Sequence, residues 1–113
     1  MVKNMENKSL GLLEVQGYSV ALAVMDKACK AANIKILAMD CNNPKAGDNA
    51  FIPVVVQVKF VGSVSDVKVA LEVAKEAALS YLREEDIVTR CIASYSDELE
   101  ELLCSGKVKN KQV

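Results

Sequence analysis

The chain has 113 residues, of which 51% are apolar and 26% are charged, the balance of one ordinary globular domain. Fourteen basic and fifteen acidic side chains leave a formal net charge of -1, which argues against a partner that is nucleic acid or an anionic membrane. No apolar run approaches the roughly 18 residues that cross a bilayer. The first ten residues lack the apolar segment of a signal peptide, so we expect a cytoplasmic protein.

The sequence contains no histidine, which excludes histidine-dependent triads, a histidine general base and histidine metal ligands. Its four cysteines, Cys29, Cys41, Cys91 and Cys104, are too widely spaced for a CxxC pair, so we expect no metal site and no cofactor. The apolar pattern around Cys29 and Cys91 predicts that both thiols are buried in the core. Together these features predict that the protein is not an enzyme.

The first half of the chain has the pattern strand, helix, strand and loop. Residues 9–17 form a short alternating segment that ends at a glycine, which predicts a strand. Apolar residues at helical spacing predict a helix over 18–32, followed by a strand rich in β-branched residues over 34–39. Residues 40–50 concentrate Asn, Asp, Pro and Gly, and we interpret them as a loop.

The second half repeats strand and helix and then adds a strand and a short helix. Ser63 and Asp66 resemble a capping box, with Asp in place of the usual Glu or Gln, and predict a helix start. The predicted elements are a strand over 51–61, a helix over 64–82, a turn over 84–86, a strand over 87–93 and a helix over 97–103.

The order β-α-β-β-α-β predicts a ferredoxin-like α+β sandwich with a short C-terminal helix. Right-handed crossovers place both long helices on one face of a four-stranded antiparallel sheet. We expect residues 1–8 to be a disordered extension, 9–103 to form the domain, and 104–113 to be a flexible basic tail.

Four segments resemble, in order, a bacterial microcompartment shell protein of the single-domain, hexamer-forming type. They are SLGLLEVQGYSVAL (9–22), MDKACKAANIKILAM (25–39), VQVKFVGSVSDVKVALEVAKEAA (56–78) and DIVTRCIASYSDELEELL (86–103). The resemblance covers nearly the whole predicted domain, and the combined pattern is more specific than any one segment.

The resemblance implies a building block rather than a catalyst. Such proteins form cyclic homohexamers that tile with other shell proteins around encapsulated enzymes, and small metabolites cross a central pore. The motif DKACKAAN maps the family's lysine at the hexamer edge onto Lys30. No nucleic acid, membrane or cofactor is implied.

The loop between the second and third strands is expected to line the pore, through Asn42, Asn43, Lys45, Gly47 and Asp48. The family's loop is usually short and glycine-rich, whereas residues 41–51 are longer and hold one glycine. The family's Pro-Arg-Pro-His-like stretch is replaced by residues 93–96, ASYS. Both departures favour a minor or specialised shell component with an atypical pore.

Two other classes of protein fit the same element order. A small trimeric regulatory ligand-binding protein of ferredoxin-like fold would use the long loop to contact an effector, but no Gly-rich phosphate loop is present. An enzyme with paired carboxylates would have only Glu14 and the acidic run 84–86 to use, and we interpret that run as a solvated turn. Six copies of Cys41 could meet in a ring and bind a metal or cluster, although a lone loop thiol is usually free.

Overall fold

The protein forms a four-stranded antiparallel sheet with two helices. The computed structural model describes residues 8–42 and 55–95. The elements are β1 (Ser9–Gln16), α1 (Tyr18–Ala31), β2 (Lys35–Asn42), β3 (Val55–Gly62), α2 (Val64–Ala78), a 3₁₀ helix (Glu84–Asp86) and β4 (Val88–Ile92). The strand order is β2-β3-β1-β4, and every neighbouring pair is antiparallel. The prediction of a ferredoxin-like α+β sandwich is confirmed.

Both helices pack on one face of this sheet, as predicted. In β1 the side chains of Leu13 and Val15 are buried, whereas Glu14 and Gln16 between them are partly exposed, since successive strand residues point to opposite faces. The buried core joins strand and helix residues: Leu13, Val15, Val56, Val58 and Phe60 with Ala21, Val24, Met25, Ala28, Val67, Ala70, Leu71, Ala74 and Ala78. We call the opposite side of the sheet the open face, although a second, smaller apolar cluster buries Leu10 and Val61 there.

A glycine in β1 makes room for the largest aromatic side chain in the core. Gly11 is paired with Phe60 of β3, and Phe60 is fully buried. A Cβ atom on Gly11 would lie 2.4 Å from Phe60 Cε1, closer than carbon atoms can approach. The glycine that follows Leu10 is therefore a packing requirement of this sheet.

The predicted pairing of Ser63 with Asp66 caps the start of α2, and it also reaches another part of the chain. Ser63 Oγ accepts the Asp66 N–H at 3.1 Å and donates its hydroxyl proton to Asp66 Oδ2 at 2.9 Å. The second oxygen, Asp66 Oδ1, accepts the backbone N–H of Asn33 at 3.2 Å. Asp66 thus fixes the start of α2 and ties it to the connection between α1 and β2.

Within the described residues, two element boundaries differ from the predictions by more than one residue. β2 continues through Asp40 to Asn42, because its hydrogen-bonded ladder with β3 outweighs the turn preference of Asp and Asn. α2 ends at Ala78 rather than at residue 82. Beyond it the Tyr81 N–H donates to Ala78 O at 2.8 Å, the i to i−3 pattern of a tighter turn.

The prediction that Cys29 and Cys91 are buried in the core is wrong for this protomer, since both thiols are exposed. Cys29 directly follows buried Ala28, and one residue turns a helix by about 100°, which carries Cys29 off the buried stripe. Cys91 lies on β4, an outer strand among those described, in which no residue is buried.

Several predictions concern residues outside the described ranges. They are the N-terminal extension, the start of the strand predicted over 51–61, the short helix over 97–103 and the basic tail over 104–113. The acidic run 84–86 forms the 3₁₀ helix, and its carboxylates pair with Lys75 and Arg83 in mainly exposed ion pairs. The interpretation of that run as a solvated turn is confirmed.

Candidate functional site on helix α1 and strand β2

Lys30 lies in the last turn of α1, on a side of the helix that faces solvent. Its ammonium group is 3.0 Å from Asp26 Oδ2, one helical turn earlier, and the two side chains are 74% and 61% exposed. A cation at this end also complements the helix dipole. Exposed i, i+4 pairs contribute only a few tenths of a kcal/mol, about 0.5 at most. Lys30 can therefore exchange Asp26 for another acceptor at little cost in stability.

The connection between β2 and β3 begins and ends at one end of the sheet. Asn42 is the last residue of β2, and its backbone is paired with Val55, the first residue of β3. The structure therefore positions one of the predicted pore residues at the base of the connection. The other four, Asn43, Lys45, Gly47 and Asp48, lie outside the described residues.

A mostly buried ion pair stands just before this connection, on the open face of the sheet. Lys59 Nζ of β3 donates to Asp40 Oδ2 of β2 at 2.7 Å, and the side chains are only 13% and 11% exposed. The other oxygen, Asp40 Oδ1, is buried and accepts no hydrogen bond from residues 8–42 or 55–95. Such a pair holds the two strands in register, because separating the charges would leave each one poorly solvated.

Sequence reasoning missed this pair, because it assigned Asp40 to a loop. The run Val-Gln-Val-Lys-Phe in β3 contained a usable signal. Alternation directs Lys59 away from the core side that holds Val58 and Phe60. The lysine must therefore lie on the open face, beside side chains of the adjacent strands. An acidic residue near the end of β2 is then its natural partner.

Cys41 is part of β2 and not of a loop. Its side chain is partly buried and packs against the main core, on the side of the sheet that carries the helices. Within residues 8–42 and 55–95 no group of three cysteine or acidic side chains could hold a metal ion. In this part of the chain the side chains described above form packing contacts and ion pairs.

The architecture and these side chains define a small α+β domain whose charged groups are mainly at its surface. The family model of the BMC domain, the bacterial microcompartment domain, matches residues 9–93. The chain therefore belongs to the BMC-domain family of microcompartment shell proteins, as the four sequence segments predicted. The domain is a structural component of the shell.

Comparison with solved structures agrees with this fold. A microcompartment protein from Desulfitobacterium hafniense DCB superposes with a TM-score of 0.68 at 17% identity, covering 88% of this chain and 48% of that one. The chain thus spans about half the length of that protein. The divalent ion tolerance protein CutA1 from Ehrlichia chaffeensis gives a TM-score of 0.45 at 12% identity, covering 87% of this chain and 92% of that one. The comparison with curated proteins finds no match.

Neither helix in the described part of the chain is long and apolar enough to cross a membrane.

Proposed function

We propose that this shell protein closes into a cyclic homohexamer and that the hexamers tile, with other shell proteins, into the wall of a cytoplasmic microcompartment. The observation that carries the proposal is the BMC-domain match over residues 9–93, a range that includes every strand and helix described above. The domain's structural role supports a protein without catalytic activity and without a cofactor. Encapsulated enzymes are further candidate partners on the inner side of the wall.

The two outer strands described, β2 and β4, support a ring. They lie at opposite edges of the sheet. Each exposes β-branched apolar side chains: Ile36 on β2, and Val88 and Ile92 on β4. Two different adhesive edges on one domain favour head-to-tail contacts, and head-to-tail contacts close into a ring when the rotation per subunit fits. A two-fold dimer would instead use one edge twice.

The residue proposed for the outer rim of the ring, Lys30, and the residues proposed to line the pore have separate roles. Lys30 is solvent-facing at the end of α1, where it is free to leave Asp26 and contact a neighbouring ring. The connection between β2 and β3 would bring six copies of Asn42, Asn43, Lys45, Gly47 and Asp48 near the axis. Their mixed polar groups would select small polar metabolites, since pore selectivity follows from width and lining groups. The glycine-poor composition supports a specialised component of the shell.

Native mass spectrometry of the untagged protein tests the assembly directly. Six copies of the 12.2 kDa chain give about 73 kDa, and larger species should be multiples of this mass. A species of about 37 kDa would correspond to three copies and would favour the trimeric regulatory alternative. A monomer, or a dimer alone, would overturn the ring. If the hexamer is observed, electron microscopy of the same sample should show sheets or tubes built from it.

A further inference from the structure

The open face of the sheet carries a group of polar side chains at its centre. The ladder places Glu14 of β1 beside Gln57 of β3 on one side and beside Val88 of β4 on the other. One pair further along, Leu12 of β1 lies beside Arg90 of β4. Glu14 and Arg90 are therefore diagonal neighbours on adjacent strands, within reach of each other's long side chains.

These two charges are not paired with each other, which sets them apart from the nearby Asp40–Lys59 pair. Within residues 8–42 and 55–95, neither Glu14 nor Arg90 makes an ion pair or a side-chain hydrogen bond. A hollow of about 210 Å³ lies between them, lined by Leu12, Leu13, Glu14, Gln57, Val88 and Arg90. A second hollow of about 160 Å³ adjoins it and shares Glu14 and Val88.

The lining has the chemistry of a receptor for a small molecule with two opposite charges. A guanidinium group binds a carboxylate through two parallel hydrogen bonds, which Arg90 can offer. Glu14 can accept from an ammonium group, and the Gln57 amide can donate or accept beside it. The apolar walls, Leu12 and Val88, suit a short carbon chain. A volume of 210 Å³ equals that of about seven water molecules in the liquid, enough for a short amino acid.

We propose that this hollow is a binding site for a small zwitterion, with the carboxylate on Arg90 and the ammonium group on Glu14. The site lies on the open face and uses neither Lys30 nor any proposed pore residue, and it shares only Val88 with the strand edges proposed to contact the next subunit. It does not depend on a six-fold ring, so its test and the test by native mass spectrometry succeed or fail separately.

Methyl-detected NMR of the full-length protein, labelled at leucine and valine, tests this site. The methyl groups of Leu12 and Val88 line the hollow, and Val69 on α2 is an internal control on the far side of the sheet. The probes are glycine, β-alanine and 4-aminobutyrate, which differ only in the spacing between their charges. We expect saturable shifts at Leu12 and Val88 for at least one probe. Propionate and propylamine, which carry one charge each, should bind about tenfold more weakly.

Charge-matched variants separate binding from general electrostatics. Arg90→Gln and Glu14→Gln should each weaken binding about tenfold, since each removes one charge-assisted contact. Lys68→Gln and Glu72→Gln change the same charges on exposed positions of α2 and should leave binding unchanged. Thermal melting of all four variants checks that each one folds.

Three results would overturn the proposal. The first is that none of the three zwitterions produces saturable shifts at Leu12 or Val88. The second is equal binding of propionate, which would reduce the site to an anion contact on Arg90. The third is a shift of the Leu12 methyl signals with protein concentration alone, which would mean that a second copy of the chain occupies this face.

Discussion

Lys59 Nζ of strand β3 and Asp40 Oδ2 of strand β2 lie 2.7 Å apart, and both side chains are mostly buried. A pair in this setting contributes little when intact, because desolvation offsets much of the attraction. It is costly to break on one side only, since the remaining charge stays buried without its partner. The other carboxylate oxygen, Asp40 Oδ1, already has no hydrogen bond from the part of the chain that the structure describes.

Asp40→Asn should therefore lower the free energy of unfolding by about 2 kcal/mol, because Lys59 keeps its charge in a mostly buried position. The double variant Asp40→Leu with Lys59→Met should recover much of this loss, since it removes both charges. Urea denaturation at a fixed protein concentration measures both effects. Asp26→Asn, which breaks the exposed pair with Lys30, is the control and should change stability by about 0.5 kcal/mol or less. A loss equally small for Asp40→Asn would contradict this reasoning.

Gly11→Ala should destabilise the protein by about 1–3 kcal/mol, because the new methyl group would enter the space of the Phe60 ring. Adding Phe60→Leu should make the Gly11→Ala change cheaper, although Phe60→Leu alone is also destabilising. Thermal denaturation of the two single variants and the double variant gives the coupling energy. Simple additivity of the two losses would show that the contact is not the cause.

Ser63→Ala should cost about 1 kcal/mol, the usual loss when a helix N-cap is removed. Asp66→Ala should cost more, because it leaves the Ser63 hydroxyl and the Asn33 N–H without their acceptor. Ser65→Ala, an exposed substitution in the same helical turn, is the control. Urea denaturation ranks the three variants, and an Asp66→Ala loss no greater than that of Ser63→Ala would argue against the bridge to Asn33.

Lys30→Ala should leave folding and the number of subunits in the proposed ring unchanged but should abolish sheets or tubes. The side chain is exposed and its one ion pair is weak, so a change in stability of about 0.5 kcal/mol or less is expected. Lys27→Ala removes the same charge from an exposed position of the same helix and should still tile. Negative-stain electron microscopy beside native mass spectrometry distinguishes the two steps. Normal sheets from the Lys30→Ala protein would remove this residue from the proposed rim.

Cys29 should react with iodoacetamide about tenfold faster than Cys41 in the native protein, because its thiol is exposed whereas that of Cys41 packs against the core. Peptide mass spectrometry after timed alkylation measures the two rates, and denaturation should bring them together. Equal rates under native conditions would contradict the burial described for Cys41.

The sequence was sufficient to predict the fold where local pattern and tertiary packing agree. The alternating segment 9–17, ended by a glycine, predicted β1, and the pairing of Ser63 with Asp66 located the start of α2. Asp40 was assigned to a loop because its intrinsic preference is for turns, whereas its ion pair with Lys59 depends on strand register. Cys29 was misplaced because the helical spacing fitted two adjacent stripes, and only docking on the sheet selects one.

The candidate sites divide in the same way. Lys30 could be assigned from the motif DKACKAAN, and its exposed position suits the proposed role. The hollow between Glu14 and Arg90 could not be predicted from the sequence. These residues are far apart along the chain and become neighbours only through the pairing of β1 with β4. A site formed across strands requires the register, which short-range patterns do not specify.

The backbone of Asn33 is bonded to α2 and lies close to Gly62 at the end of β3, which would have a mechanical consequence in a tiled layer. Its N–H is bonded to Asp66, and its carbonyl oxygen lies where a side chain on Gly62 would come within 2.9 Å. The end of α1, with Lys30 three residues earlier, is thereby tied to α2 and lies close to the end of β3. If Lys30 contacts neighbouring rings, it does so from a rigid part of the domain. The curvature of the shell would then depend on the angle of the contact between rings.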